Sequence, residues 1–435
     1  MESVLKGVAL TVDLSPEREV PMGCGQGGPG PWRVNDRIEA NFLALQVGME
    51  SPVVLVSFDL LYVGPDLERA VLRGLRGLAR DRVFIAATHT HAAPMTDITK
   101  PELGEVDFEY MQGISQRVAT ACSGLLDGLG TSGAVVLEAS KGRLRHSINR
   151  RRWRVFPGES VRRVDMKPDY WGPTDEDVVV LQVVSADGAP LAFVWNYACH
   201  PVAYPVPGEM SAHFPGVIRA GLREKAHSDV PVLFFQGFSG NTRPRFLAEL
   251  RRFPYRLKRL SWLRQPASLR WVEPTEELYG SWTRSLRSEV TQLFGKGKAV
   301  PVDRIDTQRV TKPLSAFASL DESKTEVDRV DTVSFQSLRL GRAVCLVGVS
   351  AEPVAEYGAL VRRMAGDRFT LPVGCLDTPF GYAATRKIQA EGGYEAERFR
   401  ESFGLASVSE NLEERMLEGF AGVLELGARQ PHSRL

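Results

Sequence analysis

Three short motifs in this sequence place histidine or glutamate directly after an apolar stretch, where such residues could bind a metal ion. The first contains His89 and His91 in an H-x-H pair, the second contains His200, and the third contains Glu352. Neutral imidazole is the commonest metal ligand in proteins, and two histidines with one carboxylate form a recurring shell for catalytic zinc. The residue types therefore indicate a single zinc site. The H-x-H pair alone is also compatible with polar residues that only end a strand.

The motifs depend on the elements that precede them, and buried strands are predicted before all three, at residues 83–87, 190–197 and 343–349. A helix-periodic segment at 65–79 joins a further strand at 53–60 to the strand at 83–87. This strand-helix-strand unit is typical of α/β domains. In open α/β sheets, catalytic groups collect at the carboxyl ends of the strands. We therefore expect the three motifs to meet at one sheet edge.

Composition and charge exclude several classes of protein. The chain has 435 residues and a formal net charge of +1, which provides no global field that would attract nucleic acid. No stretch approaches the roughly 18 apolar residues that span a bilayer, and the N-terminus lacks a signal-peptide pattern. The five cysteines are scattered, which indicates reduced thiols. These features predict a cytoplasmic protein without a nucleic-acid partner or an integral membrane segment.

One basic stretch, residues 243–275, interrupts the α/β pattern. It is rich in arginine, with phenylalanine, tyrosine and tryptophan interleaved. It is either a solvated surface insertion, as most charge runs are, or a lid at the entrance for an anionic or amphipathic substrate. The predicted fold class is α/β, with a large mixed-sheet catalytic domain, helices on the sheet faces and a basic helical insertion.

Five motifs, taken in order, resemble those of the neutral/alkaline (non-lysosomal) ceramidase family. They are THTHAAP, NYACHPV, FFQGFSGNTRP, VSAEPVAEYG and GYAATRKIQAEGGYEA, and the resemblance extends from about Gly7 to Glu395. The family consists of zinc amidases that cleave the N-acyl bond of ceramide. The resemblance implies one ceramidase-like catalytic domain over residues 1–435, without the family's C-terminal immunoglobulin-like domain.

The resemblance also implies roles for individual residues. The expected zinc ligands are His89, His200, Glu352 and Tyr382. Beside them, His91 is expected to act as the acid or base. Tyr394, together with Tyr382, is expected to stabilise the oxyanion of a tetrahedral intermediate.

Three further polar residues, Arg150, Asn241 and Arg243, are expected to bind substrate. Arg150 matches the arginine of the family's N-R pair, whereas Arg243 stands where the family has its active-site serine. The planar fork of arginine suits a carboxylate or a phosphate. The sequence therefore predicts a zinc-dependent hydrolase that cleaves an amide or ester bond in a small, acidic acylated metabolite.

Two other functions are compatible with the sequence. The same metal site could catalyse acyl transfer, or an intramolecular condensation or cyclisation, in a biosynthetic pathway. An amine would then replace water as the nucleophile. Alternatively, the changed serine position marks a catalytically degenerate module that binds a lipid or another partner.

Overall fold

The structure of the chain is a computed structural model that describes residues 4–24, 33–155, 162–248, 270–323 and 330–425. The helices are α1 Gly64–Gly74, α2 Phe108–Thr131, α3 His213–Ala226, α4 Glu276–Thr291, α5 Glu356–Ala365, α6 Arg386–Glu391 and α7 Leu412–Glu425. The strands of the N-terminal half are β1 Leu5–Asp13, β2 Arg33–Val34, β3 Glu39–Val47, β4 Val53–Phe58, β5 Val83–Ala87, β6 Val135–Arg143, β7 Ser147–Val155, β8 Arg162–Asp169, β9 Asp177–Ser185, β10 Pro190–Tyr197, β11 Glu209–Met210 and β12 Val232–Gln236.

The remaining strands are β13 Thr242–Pro244, β14 Leu247–Ala248, β15 Arg270–Trp271, β16 Lys298–Val300, β17 Ile305–Pro313, β18 Ala318–Leu320, β19 Thr332–Leu340, β20 Val344–Val349, β21 Glu352–Pro353, β22 Phe369–Val373, β23 Tyr382–Ala383 and β24 Leu405–Val408. They form three larger sheets, together with smaller ones that hold the loops. In the described residues, no helix combines the length and the apolarity that a bilayer crossing requires.

The first larger sheet has the order β1-β3-β4-β5, with β4 and β5 parallel and joined through α1. This is the strand-helix-strand unit that the sequence predicts. Its strands are apolar on both faces because both faces are covered. Phe42 and Ala44 of β3 pack in the cluster that includes α1 and α2, whereas Leu43 and Leu45 point into a second cluster on the opposite face.

The second sheet has the order β12-β10-β9-β6-β16, and the third has the order β17-β19-β20-β22. In each, one parallel pair is joined by a helix: β10 and β12 through α3, and β20 and β22 through α5. The parallel pairs orient their carboxyl ends alike, so the loops after them open on one edge. These loops carry the residues of the predicted site.

The three sheets share one apolar core. A single buried cluster contains Leu43 from the first sheet, Phe235 from the second and Leu346 from the third. The rings of Phe84 and Phe235 meet edge to face at 5.5 Å between centroids, which ties the first sheet to the second. The mixed-sheet α/β class with helices on the sheet faces is confirmed.

Only the two ends of the predicted basic insertion, residues 243–275, belong to the described part of the chain. The segment 249–269 lies outside it. The described ends form the short strands β14 and β15, which pair antiparallel with Leu247 opposite Trp271. The proposed lid stays a prediction.

Helix α7 packs closely against the third sheet, and we expect Gly419→Ala to lower the free energy of unfolding by about 1–3 kcal/mol. A β-carbon on Gly419 would lie 2.3–2.5 Å from ring atoms of Phe335, which is fully buried in β19. Denaturant unfolding followed by circular dichroism measures the change.

Gly422→Ala, in the same helix, is the matched control. The atom nearest to an added β-carbon there is a methyl of Val310 at 3.7 Å, so alanine fits. We expect this variant to gain up to about 1 kcal/mol from helix propensity. Equal stabilisation by both substitutions would contradict the close packing of α7 on Phe335.

Candidate metal centre

The predicted metal-binding motifs lie together at the ends of three strands. His89 and His91 follow β5, His200 follows β10, and Glu352 opens β21 just after β20. His89 has a backbone φ of +66°, in the left-handed region that residues other than glycine rarely adopt. Such strain persists where the surroundings fix it, and it is common at functional sites.

The side chains of these residues converge on one small volume. The Nε2 atoms of His89 and His200 are 3.0 Å apart, and those of His91 and His200 are 3.2 Å apart. Glu352 Oε2 lies 3.2 Å from His89 Nε2 and 3.9 Å from His200 Nε2. Within the described ranges, the histidines His89, His91 and His200 form a group that could hold a metal ion.

Backbone carbonyls set the orientation of two of the imidazoles. His89 Nδ1 lies 2.9 Å from the carbonyl oxygen of Leu61, and His200 Nδ1 lies 3.4 Å from that of Ser239. A proton on each Nδ1 would donate to these oxygens and leave an unprotonated Nε2 facing the centre. Metal-binding histidines commonly donate their other ring N–H to a backbone carbonyl in this way.

The donor set fits a divalent cation. With Nδ1 protonated, two Nε2 atoms and the Glu352 carboxylate face one another, and a positive charge must lie between them. A proton can supply it, because burial disfavours a charge on His89 but Cys375 and Glu352 outweigh burial and raise the pKa of His89 well above its usual value. A divalent cation would take the place of that proton. Glu352 Oε2 has no hydrogen-bond partner among the described residues, although the side chain is buried. Nitrogen and carboxylate ligands together are the set that catalytic zinc sites use.

Two tyrosines hold the Glu352 carboxylate. The hydroxyl of Tyr62 donates to Glu352 Oε1, and the hydroxyl of Tyr382 is close enough to help lower the pKa of the same carboxylate. Burial alone would raise the pKa of Glu352, but His89 and these two hydroxyls lower it to about 2. The carboxylate is therefore ionised at neutral pH, which is the form that binds metal.

Tyr62 is absent from the residues that sequence reasoning selects, although a signal exists. It follows β4 closely, as His89 follows β5, and these two strands are parallel neighbours. Its ring also contacts the ring of His89, with centroids 5.1 Å apart. The rule that functional side chains follow parallel strands would have pointed to Tyr62.

His91 lies at the more open side of the cluster. It is half-buried, and its backbone N–H donates to the carbonyl oxygen of Pro201 at 3.2 Å. Burial, with repulsion from the neighbouring His89, lowers the pKa of His91 well below its usual value. A neutral imidazole at this position can either bind metal or accept a proton.

Arg150 links the metal centre to two tyrosines. Its Nη2 donates to the Tyr382 hydroxyl at 3.2 Å and to the carbonyl oxygen of Gly240 at 2.7 Å. Its Nε donates to Glu395 Oε1 at 2.8 Å, which holds the guanidinium in place. The guanidinium carbon lies 5.4 Å from the centre of the Tyr394 ring. Glu395, which neutralises Arg150, is a second residue that the sequence analysis does not select.

Tyr394 stands beside this pair with its ring only half-buried. The rings of Tyr382 and Tyr394 meet edge to face with centroids 5.4 Å apart. Burial, with the nearby Glu352 charge, raises the pKa of Tyr394 to about 12, so its hydroxyl stays protonated at neutral pH. Tyr394 is therefore a hydrogen-bond donor at the edge of the cluster.

Asn241 and Arg243, both expected to bind substrate, differ in their surroundings. The Asn241 amide donates to Glu356 Oε2 at 2.8 Å and accepts from the backbone N–H of Ala355 at 2.8 Å. It is completely buried and joins the Gly240 loop to the start of α5. The side chain of Arg243 instead extends over the ring of Trp271.

Taken together, the described residues form a mixed α/β fold with a candidate metal site at its strand ends. Two solved structures share this fold. One is the neutral ceramidase from Pseudomonas aeruginosa, with a TM-score of 0.75 and 16% sequence identity, covering 100% of this chain and 76% of that one. The other, a ceramidase complexed with C2, has a TM-score of 0.73 and 15% identity, covering 100% and 77%.

No family model and no curated protein matches the sequence. The structural match nevertheless extends over the whole of this chain. The chain therefore has the neutral ceramidase fold, and the resemblance found in its motifs is confirmed at the level of the fold.

Tyr62 can be tested as a residue that positions Glu352. We expect Tyr62→Phe to weaken zinc binding by about 10- to 100-fold, because loss of an outer-shell hydrogen bond frees the carboxylate. Competition with a chromophoric chelator measures the affinity directly, without any assay of activity. Tyr110→Phe is the matched control, since that buried hydroxyl donates to Leu14 far from the cluster. Equal zinc affinity in all three proteins would remove Tyr62 from the centre.

Proposed function

We propose that this protein is a zinc-dependent hydrolase that cleaves an amide or ester bond in a small, acidic acylated metabolite. One observation carries the proposal: His89 Nε2, His200 Nε2 and Glu352 Oε2, all on buried side chains, converge within 3.9 Å of one another. The neutral ceramidase fold supports amide bonds as the target. We further propose that residues 1–435 act as one catalytic domain, because residues at the ends of strands from all three larger sheets meet at the site.

The zinc ligands would be His89, His200, Glu352 and Tyr382. The first three already point their ligand atoms at one another, and the Tyr382 hydroxyl reaches the Glu352 carboxylate. When bound in such a site, zinc lowers the pKa of a water molecule to about 7 and polarises the carbonyl of the scissile bond.

His91 would move the proton in this reaction. Its imidazole lies next to His200 and is less buried than the proposed ligands, so it faces the side from which substrate enters. As a neutral base it takes the proton of the attacking water. As an acid it then returns that proton to the leaving nitrogen or oxygen.

Tyr394 and Tyr382 would stabilise the negative charge that develops on the carbonyl oxygen. Both hydroxyls remain protonated at neutral pH, and Arg150 holds them through its bond to Tyr382 and its contact with the Tyr394 ring. Donors that are fixed before the reaction cost no reorganisation when the charge appears. Asn241 contributes indirectly, by fixing the loop that carries Gly240.

Metal content gives the first test of the function. Purified protein is expected to contain one zinc ion per chain by elemental analysis, and both His200→Ala and Glu352→Ala are expected to lose it. Short N-acyl amino acids are the probe substrates, and release of the free amino acid is the readout. Chelation should abolish hydrolysis and added zinc should restore it. Full zinc occupancy in both variants would overturn the ligand assignment.

Replacing His91 tests whether this residue transfers a proton or binds the metal ion. We expect His91→Asn to keep its zinc, to retain KM, and to lose about 10²- to 10⁴-fold in kcat. His227→Asn, at the exposed C-terminal cap of α3, controls for the loss of a histidine and should behave as wild type. If His91→Asn loses zinc as His200→Ala does, the three histidines are the ligands and another group moves the proton.

A further inference from the structure

Arg243 follows a loop whose backbone contacts the candidate metal centre. Strand β13 pairs with β7, placing Arg243 opposite Ile148, and the backbone before it contacts the centre directly. The Ser239 carbonyl faces His200, and the Gly240 carbonyl accepts from Arg150. Pro244 restricts Arg243 to an extended backbone, which gives its side chain a defined direction.

Arg243 is half-buried and belongs to none of the described ion pairs. Its Nε is buried and has no hydrogen-bond partner among the described residues. By contrast, the arginines Arg150, Arg151 and Arg219, which are buried, each pair with a carboxylate. A buried charge normally has a partner, so the charge of Arg243 calls for an anion that the described residues do not supply.

Burial and a neighbouring positive charge both disfavour the charged form of Arg243, which makes a bound anion more favourable. Burial lowers the pKa of Arg243 to about 10, and repulsion from Arg150 contributes to the shift. The side chain nevertheless keeps its charge at neutral pH. Glu273 acts in the opposite sense, but it is exposed to solvent, where its attraction is screened.

Trp271 fixes the guanidinium from one face. The guanidinium carbon of Arg243 lies 4.4 Å from the centre of the indole ring, and the indole N–H donates to the carbonyl oxygen of Met166 at 3.2 Å. Stacking of this kind covers a face of the guanidinium and leaves the N–H groups at its edge available. Those groups match the two oxygens of a carboxylate or a phosphate.

We propose that Arg243 and Trp271 form an anion-binding subsite that selects acyl substrates carrying a carboxylate or phosphate on the leaving side. The proposal rests on the proposed function and narrows its substrate class. A bidentate contact fixes the charged end of the substrate, and the acyl bond then extends toward His91 and the zinc ligands. Neutral amides lack this contact and leave the guanidinium unpaired.

Arg243→Gln provides the main test, with zinc-loaded protein throughout. The probes are N-butyrylglycine, its phosphonate analogue N-butyryl-aminomethylphosphonate and the neutral N-butyrylglycinamide. We expect kcat/KM to fall about 10- to 100-fold on the charged probe that the subsite prefers and to stay unchanged on the neutral one. The charged probe whose kcat/KM falls more in Arg243→Gln carries the anion, carboxylate or phosphonate, that the subsite prefers. Arg243→Lys should recover part of the loss, because it keeps the charge but not the fork.

Two further variants test whether the effect of Arg243→Gln is specific to Arg243. Arg245→Gln is the matched control, because Arg245 also stacks on an aromatic ring, that of Tyr170, and already donates to its hydroxyl at 2.9 Å. It should leave all three probes unaffected. Glu273→Gln tests for an internal partner and should not weaken binding of the charged probes. Equal loss on charged and neutral probes in Arg243→Gln, or the same loss in Glu273→Gln, would overturn the subsite.

Calorimetry separates this proposal from the proposed function. Binding of the charged probes to the zinc-loaded protein should weaken in Arg243→Gln but not in Arg245→Gln, whether or not the probes are hydrolysed. Failure of the wild type to hydrolyse any probe would count against the hydrolase. Unchanged binding in Arg243→Gln would count against the subsite.

Discussion

The structure depends on one electrostatic constraint. The Nε2 atoms of His89 and His200 and the carboxylate of Glu352 are buried close together in the candidate metal centre. His89 and His200 direct Nε2 toward Glu352 because the carbonyls of Leu61 and Ser239 face their Nδ1 atoms. Without a cation or a proton between them, the two lone pairs and the carboxylate repel one another in a medium of low dielectric constant. Three sheets must therefore hold their strand ends rigidly, and their shared apolar core provides that rigidity.

Buried ion pairs next to the candidate metal centre hold Tyr382 in position. Glu395 accepts from Arg150 at 2.8 Å and from Arg151 at 2.7 Å, so neighbouring arginines of β7 share one carboxylate. Arg150 can then donate to Tyr382 without itself requiring a substrate charge. The structure thus divides the arginines near the site into two kinds. Arg150 is neutralised from inside, whereas Arg243 has no carboxylate partner among the described residues.

Sequence patterns identified the cluster residues because those signals are local. A histidine after a buried strand is visible within a few positions, and parallel strands place such residues on a common edge. Tyr62 also follows a parallel strand, but a tyrosine is not a usual metal ligand and its role is set by its bond to Glu352, 290 positions away. Glu395 is likewise defined only by its contact with Arg150, 245 positions away. The side-chain amide of Asn241 bonds to Glu356 and to the backbone of Ala355, and its expected contact with substrate stays a prediction. Side-chain direction in a loop is decided by tertiary contacts, which sequence spacing does not record.

The charge balance of the pocket argues for an acidic substrate within a ceramidase fold. In the proposed function a zinc ion would bring two positive charges and Glu352 would remove one, while Glu395 and Glu391 together balance Arg150 and Arg151. With neutral histidines the site keeps one positive charge, and Arg243 adds another close by. A substrate with an uncharged head group would leave both unbalanced in a partly dry pocket, which is costly. A carboxylate or phosphate on the substrate offsets this excess and aligns the acyl bond as it does so. Under the proposed function, the position of one arginine would therefore favour a small charged metabolite within this fold.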